Sequence, residues 1–184
     1  MSVEILTLVG SLRAASHNHQ LAEAAAKLAP ADVTVTVADG LGDLPFYNED
    51  IDTGDALPAA AARLRATAER ANAFLYVSPE YNGTMPAVIK NAIDWLSRPW
   101  QAGAMTGKPV AVIGTALGQY GGVWAHDDTR KAAGIAGGAV IDDVKLDIPG
   151  SATRFAETHP YSDAEVAEQL TKVLATLAGK ATTA

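Results

Sequence analysis

The chain has 184 residues, of which 48% are hydrophobic, which is enough for one well-buried domain and too few for two of ordinary size. Its 21 acidic and 14 basic residues give a formal net charge of −7, and the basic residues form no cluster. We therefore expect no nucleic acid partner. The sequence contains no cysteine, which excludes disulfides, thiolate catalysis and cysteine-ligated metals. Any redox chemistry must use a bound cofactor.

The sequence also predicts where the protein is found. A strand-like segment begins at residue 3 without a preceding leader pattern, and no apolar run approaches membrane-spanning length. We expect a cytoplasmic protein that forms a single domain over residues 1–184 and does not contact membranes. Among the four histidines, His17 and His19 form an i, i+2 pair that fits a solvated helix start better than a metal site. We predict no metal site.

Strand-like and helix-like segments alternate along the chain, which is typical of a parallel sheet covered by helices on both faces. The predicted strands are 3–9, 33–38, 73–77, 109–115 and about 139–142, with a further extended piece at 144–148. The first two predicted helices cover about 17–29 and about 56–71, and the second of them follows the cap Asp55. A third passes through Ile89, Ile93 and Leu96 and stops at Pro99. The last opens with a capping box from Ser162 to Glu165. The last helix carries a core stripe of Val166, Leu170, Val173, Leu174 and Leu177.

The second strand differs from the others because its valines alternate with threonines at 34 and 36. Alternation indicates one half-exposed face and therefore an edge position, whereas the continuous apolar runs at 73–77 and 109–115 belong in the buried centre. This predicts a flavodoxin-like α/β fold with five parallel strands in the order 2-1-3-4-5. Ligands of such folds bind where the strand order reverses, between strands one and three.

The first loop at that point, residues 10–18, reads GSLRAASHN. Ser11, Arg13, Ser16 and Asn18 add side-chain donors to the free N–H groups of a helix start, which predicts an anion site. Neither of the common glycine-rich phosphate motifs is present, so the pattern favours a terminal phosphomonoester over a pyrophosphate. A capped strand-to-helix turn without a ligand is an equally good interpretation of this loop alone.

Two further loops follow the central strands. Residues 78–86, SPEYNGTMP, form a rigid, proline-bounded loop, which we interpret as a ligand wall. Residues 115–122 follow strand four and contain Gly118, Gly121 and Gly122, which allow the backbone to approach a planar ring closely. An ordinary flexible turn is the alternative for this last loop.

Four segments together resemble the NADPH-dependent FMN reductase family, a flavodoxin-like group that includes quinone and chromate reductases. They are GSLRAASHN, LPFYNED at 44–50, SPEYNGTMPAVIKNAIDWLSRP at 78–99 and GKPVAVIGTALGQYGG at 107–122, and the resemblance runs from about residue 3 to 178. It implies bound FMN, NADPH or NADH as hydride donor, and a quinone, azo, metal-oxyanion or flavin acceptor. It further implies a ping-pong cycle at one open flavin face and a homodimer or homotetramer.

The resemblance also assigns roles to residues. Ser11, Arg13, Ser16 and Asn18 would hold the FMN phosphate, and the ring would lie against Pro79, Glu80, Tyr81, Asn82 and Gly83 and the backbone of Thr115, Gly118 and Gly121. No residue is predicted to be a catalytic acid or base. A carboxylate would disfavour a ring that becomes negative on reduction, so we expect Glu80 to turn away into a salt bridge or subunit contact.

Other aromatic and charged residues have more general interpretations. Tyr47 would line the substrate pocket or pack on its own scaffold, and Trp95 and Trp100 belong to the core or an interface. Tyr120 and Trp124 lie where another subunit would pack. Lys90 is expected to pair with Asp94 one helical turn away.

Two alternative functions remain at this point. A flavodoxin-type electron carrier would share the fold and FMN but lack a nicotinamide site, and flavodoxins usually have a phosphate loop without arginine, so Arg13 favours the reductase. A ligand-sensing module that has lost flavin is disfavoured by the donors of the first loop.

Overall fold

The structure is a computed structural model that describes residues 2–183, and at its centre is a five-stranded parallel sheet. The strands are β1 (Val3–Val9), β2 (Val33–Val37), β3 (Ala73–Val77), β4 (Pro109–Thr115) and β5 (Ala139–Ile148). Their order, β2-β1-β3-β4-β5, confirms the predicted fold class. Every residue of β3 and β4 is buried, whereas β2 alternates between buried and more exposed positions at the sheet edge.

Helices cover both faces of the sheet. They are α1 (His17–Leu28), α2 (Ala59–Arg70), α3 (Ala87–Leu96), α4 (Val123–Ile135), the short α5 (Ser151–Arg154) and α6 (Ala164–Ala181). One core cluster joins the sheet to α1 and α6, and a second joins the opposite face to α2, α3 and the last turn of α4. The predicted stripe of the last helix is buried in the first cluster, as expected.

The second helix begins later than predicted. Its N-cap is Pro58 in an extended conformation, and no side chain caps it, so the predicted cap Asp55 lies in an exposed turn before the helix. The reason is steric, since a proline disfavours the helical conformation in the residue that precedes it. The helix therefore starts at Ala59, after the proline.

The predicted capping box of the last helix is also wrong, by one residue. Asp163 is the N-cap, and its carboxylate accepts the N–H of Val166 at 3.1 Å. Ser162 instead ends a short 3₁₀ turn, Pro160–Ser162. Arg154 of α5 pairs with the Asp163 carboxylate at 2.6 Å, and this ion pair between neighbouring elements favours aspartate over serine as the cap.

The fifth strand is longer than predicted. The pieces expected at 139–142 and 144–148 form one strand with a bulge, where pairing to β4 jumps from Val110–Val140 to Val112–Lys145. The extra residues bend the strand locally while its end stays in register with β4. The end of β5 therefore reaches the same sheet edge as the ends of the central strands.

Gly114 is a position where the sheet allows no side chain. A Cβ built there would overlap the Ser78 carbonyl and crowd the His126 ring. Gly179, near the end of α6, has no atom within 4 Å of the same construction. The two glycines therefore offer a matched pair of substitutions.

We expect Gly114→Ala to lower the free energy of unfolding by about 3 kcal/mol or more, as overpacking of a buried site does. Gly179→Ala should raise it by about 0.5–1 kcal/mol, because alanine loses less backbone entropy in a helix. Urea denaturation of both variants measures these changes. Equal stability of the two variants would contradict the close approach at Gly114.

Candidate functional site

A crevice of about 550 Å³ opens at the carboxyl ends of β1, β3 and β4, and its size is typical of a pocket for a small ligand. Nine of the twelve predicted binding residues line it: Ser11, Arg13, Ser16, Asn18, Pro79, Glu80, Tyr81, Thr115 and Gly118. Asn82, Gly83 and Gly121 do not. Residues distant in sequence thus converge because parallel strands end at one edge of the sheet.

The first wall is the loop between β1 and α1. Ser16 is the N-cap of α1, and its hydroxyl oxygen accepts the N–H of Asn18 at 3.2 Å. The hydroxyl of Ser11 accepts the N–H of Arg13 at 3.4 Å. Both serines are buried, and each keeps its hydroxyl proton for donation. The wall therefore presents donors beside the positive end of a helix.

Asn18 joins the first wall to the third. Its side-chain amide donates to the Thr115 carbonyl at 2.9 Å and accepts the Thr115 N–H at 3.0 Å. One amide proton is used in this way, which leaves the second for a ligand. The Thr115 hydroxyl donates to the Ile148 carbonyl at 2.8 Å, so that residue contributes mainly its backbone to the crevice. These bonds tie α1, β4 and β5 together under the site.

Arg13 lies exposed at the mouth of the crevice, where its guanidinium donates to the Ala15 carbonyl at 2.7 Å. Sequence reasoning did not include His17, which also lines the crevice. Burial, and then the charge of Arg13, lower the pKa of His17 below its ordinary value. His17 is therefore neutral at neutral pH, and Arg13 supplies the positive charge of this wall.

Glu80, in the second wall, contacts the start of α4. Its carboxylate accepts the N–H groups of Trp124 and Ala125 at 3.1 and 3.2 Å. The expected salt bridge is thus replaced by hydrogen bonds to a helix N-terminus, where a negative charge is favoured. These bonds fix the loop to α4 and partly neutralise the carboxylate beside the crevice.

Asn82 and Gly83 shape the second wall without lining the crevice. Both have positive φ, 54° and 75°, and they connect Tyr81 and Thr84, whose backbones exchange hydrogen bonds at 3.1 and 3.2 Å. This is the hairpin turn for which Asn-Gly is the favoured sequence. The turn makes the loop rigid and leaves the Tyr81 ring half exposed at the crevice.

The third wall follows β4. Gly118 lines the crevice and has open space where a side chain would be, whereas Gly121 has a φ of 65° and packs against the backbone of Asp147 and Ile148. Gly121 is therefore needed for loop packing against β5. Sequence reasoning also missed Ser151 and Ala152, which line the crevice. The parallel topology was the available signal, because the end of β5 lies at the same edge.

The remaining singled-out residues lie outside the crevice. The Tyr47 ring packs on the buried Trp95 at 5.0 Å between centroids, which is the scaffold interpretation, and Trp95 belongs to the core. Lys90 pairs with Asp94 at 2.7 Å, as predicted. Tyr120 and Trp124 pack together with centroids 5.3 Å apart and remain about half exposed.

Residues 2–183 contain neither a metal-ligand cluster nor a membrane-spanning helix. No group of three or more histidine, aspartate or glutamate side chains is placed to hold a metal ion there. No helix in this part of the chain has the length and apolar character needed to cross a membrane.

Comparison with known proteins agrees with this geometry. The model of a family described as NADPH-dependent FMN reductase matches residues 3–152. A 2-hydroxy-1,4-benzoquinone reductase from a Burkholderia species is 38% identical over 172 residues, covering 94% of this chain and 90% of that protein. A quinone reductase from Pseudomonas putida is 36% identical over 159 residues, covering 86% and 84%. The structure of FerB, a flavoenzyme NAD(P)H:(acceptor) oxidoreductase from Paracoccus denitrificans, superposes with a TM-score of 0.87 at 31% identity, covering 98% of both chains.

Proposed function

The chain belongs to the NADPH-dependent FMN reductase family and is an oxidoreductase that uses FMN and NAD(P)H, and we propose that it passes two electrons to a quinone. The choice of acceptor is supported by the two relatives named above, which are quinone reductases and span most of the chain. The proposal thus selects a quinone from the four acceptor classes that the family resemblance implies, the other three being azo compounds, metal oxyanions and flavins. Assays with a benzoquinone, an azo dye, chromate and free FMN would rank the four classes.

The observation that carries this proposal is the donor set of the first wall. Two buried serine hydroxyls, the amide of Asn18, the guanidinium of Arg13 and the start of α1 meet at one end of the crevice. Such donors suit a phosphate dianion. The carboxylate of Glu80 would oppose an anion, but its hydrogen bonds to the first turn of α4 offset its charge. The residues present therefore fit FMN with its phosphate on the first wall.

The other two walls would hold the ring. The loop from Pro79 to Gly83 is made rigid by the Asn82–Gly83 turn, and Gly118 leaves space for close approach of the backbone. When bound, FMN accepts a hydride from the nicotinamide and passes electrons to the acceptor. These walls need only to orient the ring and leave one face open. That requirement explains why no residue is assigned as a general acid or base.

The same site supports a ping-pong cycle, in which nicotinamide and acceptor use one open flavin face in turn. A flavodoxin-type electron carrier would lack a nicotinamide site, and the reduction experiment below distinguishes the two activities. A cytoplasmic location is part of the proposal, because NAD(P)H is a reductant of the cell interior.

Replacing Arg13 with alanine should weaken FMN binding by about 1.5–3 kcal/mol, the contribution of a charged hydrogen bond. The fold should survive, because Arg13 is exposed. Titration of the apoprotein with FMN measures the affinity. Arg70→Ala removes the same charge from the exposed end of α2 and should leave the affinity unchanged. Equal affinities of the two variants would remove Arg13 from the phosphate site.

Because NAD(P)H and the quinone would use the same open face of the flavin, we expect that they cannot be bound at the same time. Anaerobic NADPH or NADH should bleach the flavin before any acceptor is added, and a quinone should restore the colour in a separate step. Steady-state double-reciprocal lines at several quinone concentrations should then run parallel. Lines that intersect would exclude ping-pong, and a flavin reduced by dithionite but not by NAD(P)H would favour the electron carrier.

We also propose that the protein forms at least a homodimer through the groove between α3 and α4. The groove has a volume of about 400 Å³ and is bordered by Trp100, which is 59% exposed. Its lining carries both signs of charge: Lys90, Asp94, Arg98, Asp128 and Lys131. A surface with both signs can pair with a second copy of itself about a two-fold axis.

Light scattering at micromolar concentration should therefore give a mass of at least twice the 19.0 kDa of one chain. Trp100→Glu should shift the protein toward the monomer, because it removes exposed apolar area from the groove and adds charge. Tyr161→Glu is the control, because this exposed aromatic lies in the Pro160–Ser162 turn, which packs on α1 and α6 and does not line the groove. A monomeric unmodified protein would contradict this part of the proposal.

A further inference from the structure

His126 has no assigned part in the function proposed above, yet it lies directly beneath the second wall. It is 0% exposed, and its Nε2 is 2.8 Å from the carbonyl oxygen of Ser78, the residue that begins the loop. Its Nδ1 contacts the carboxylate of Asp147 on β5. A Cβ at Gly114 or Gly122 would crowd the same Nε2. Two glycines thus provide the space that this ring occupies.

Both hydrogen-bond partners of the His126 ring are oxygen atoms. A carbonyl oxygen only accepts, so Nε2 must donate a proton to Ser78. Burial alone would raise the pKa of the Asp147 carboxyl, but the hydrogen bond and charge of His126, with the charges of Arg130 and Lys145, hold it below its ordinary value. The carboxylate is therefore ionised and also accepts. Both ring nitrogens of His126 therefore face oxygen atoms that accept hydrogen bonds.

Other charged side chains lie on the elements packed against His126. Arg130 is buried, donates to the Val112 carbonyl at 2.9 Å and lies 3.9 Å from Asp147. The exposed carboxylate of Asp127 pairs with Arg130 at 2.9 Å. The remaining charged groups are Lys145 of β5, Asp128 of α4, which accepts from Thr84, and Glu80 of the loop, which is bound to the start of α4.

We propose that His126 is a positioning residue for the flavin, which anchors the Ser78 carbonyl and places a positive charge behind the loop that contacts the ring. This inference rests on the proposed function, since it requires FMN in the crevice. Anchoring fixes the loop from Pro79 to Gly83 relative to β3. The charge favours the reduced ring, which is negative, over the oxidised ring. His126 thereby connects β5 and α4 to the redox preference of the site.

His126→Gln tests the charge, because glutamine keeps an N–H donor for Ser78 and leaves Asp147 without its cation. We expect the preference for reduced over oxidised FMN to fall about tenfold, which for a two-electron couple lowers the midpoint potential by about 30 mV. The double variant His126→Gln/Asp147→Asn has neither charge. Its midpoint potential should lie between that of His126→Gln and that of the unmodified protein. Anaerobic titration against a reference dye measures the potential, and fluorescence titration measures the affinity for oxidised FMN.

Asp163→Asn is the control, because it breaks a partly buried ion pair with Arg154 away from the loop and should leave the potential unchanged. A hydrogen-bonding role alone would leave the potential of His126→Gln equal to that of the unmodified protein, and this result overturns the proposal. Failure of the unmodified protein to bind FMN would instead overturn the proposed function, and the positioning role with it.

If the variants do not fold, the ring protons of His126 can be observed in the unmodified protein. Nitrogen-15 NMR of the folded protein at neutral pH should show a proton on both ring nitrogens of His126, because each faces an acceptor. One protonated and one bare nitrogen would overturn the proposal.

Discussion

Burial of β1, β3 and β4 on both faces is the constraint on which the rest of the structure depends. Strands that are apolar at most positions need helices above and below them, and parallel strands need crossover connections long enough to supply those helices. All loops that leave the carboxyl ends of these strands then meet at one edge. The crevice is therefore a consequence of how the core is buried.

Polar groups at that edge fix the loops without help from the apolar core. Asn18 locks the start of α1 to the end of β4 through two backbone hydrogen bonds. Glu80 locks the second wall to the start of α4. The Asn18 anchor satisfies the buried backbone N–H and C=O of Thr115, and a buried backbone group without a partner costs about 1–3 kcal/mol. The walls are therefore held in place before any ligand arrives.

The charges around the crevice suit FMN, whose phosphate is anionic and whose ring becomes negative on reduction. Arg13 and the start of α1 supply positive character at the first wall, where the neighbouring His17 is neutral. Among residues 2–183, Glu80 is the one carboxylate that lines the crevice, and it is bound to a helix start. An overall net charge of −7 thus coexists with a crevice that attracts anions, because local donors and helix ends act over a few ångströms.

The sequence by itself determined the sheet order, the edge position of β2 and the three loops that form the walls, because apolar periodicity and turn chemistry act over a few neighbouring residues. The resemblance to a known family implied the binding residues, nine of which line the crevice. The sequence also indicated the Asn82–Gly83 turn. Only the tertiary structure decided the cap at Asp163, the continuous β5 and the contact of His126 with Ser78. That contact joins residues 48 positions apart. Such contacts depend on strand register and helix placement, which no local pattern encodes.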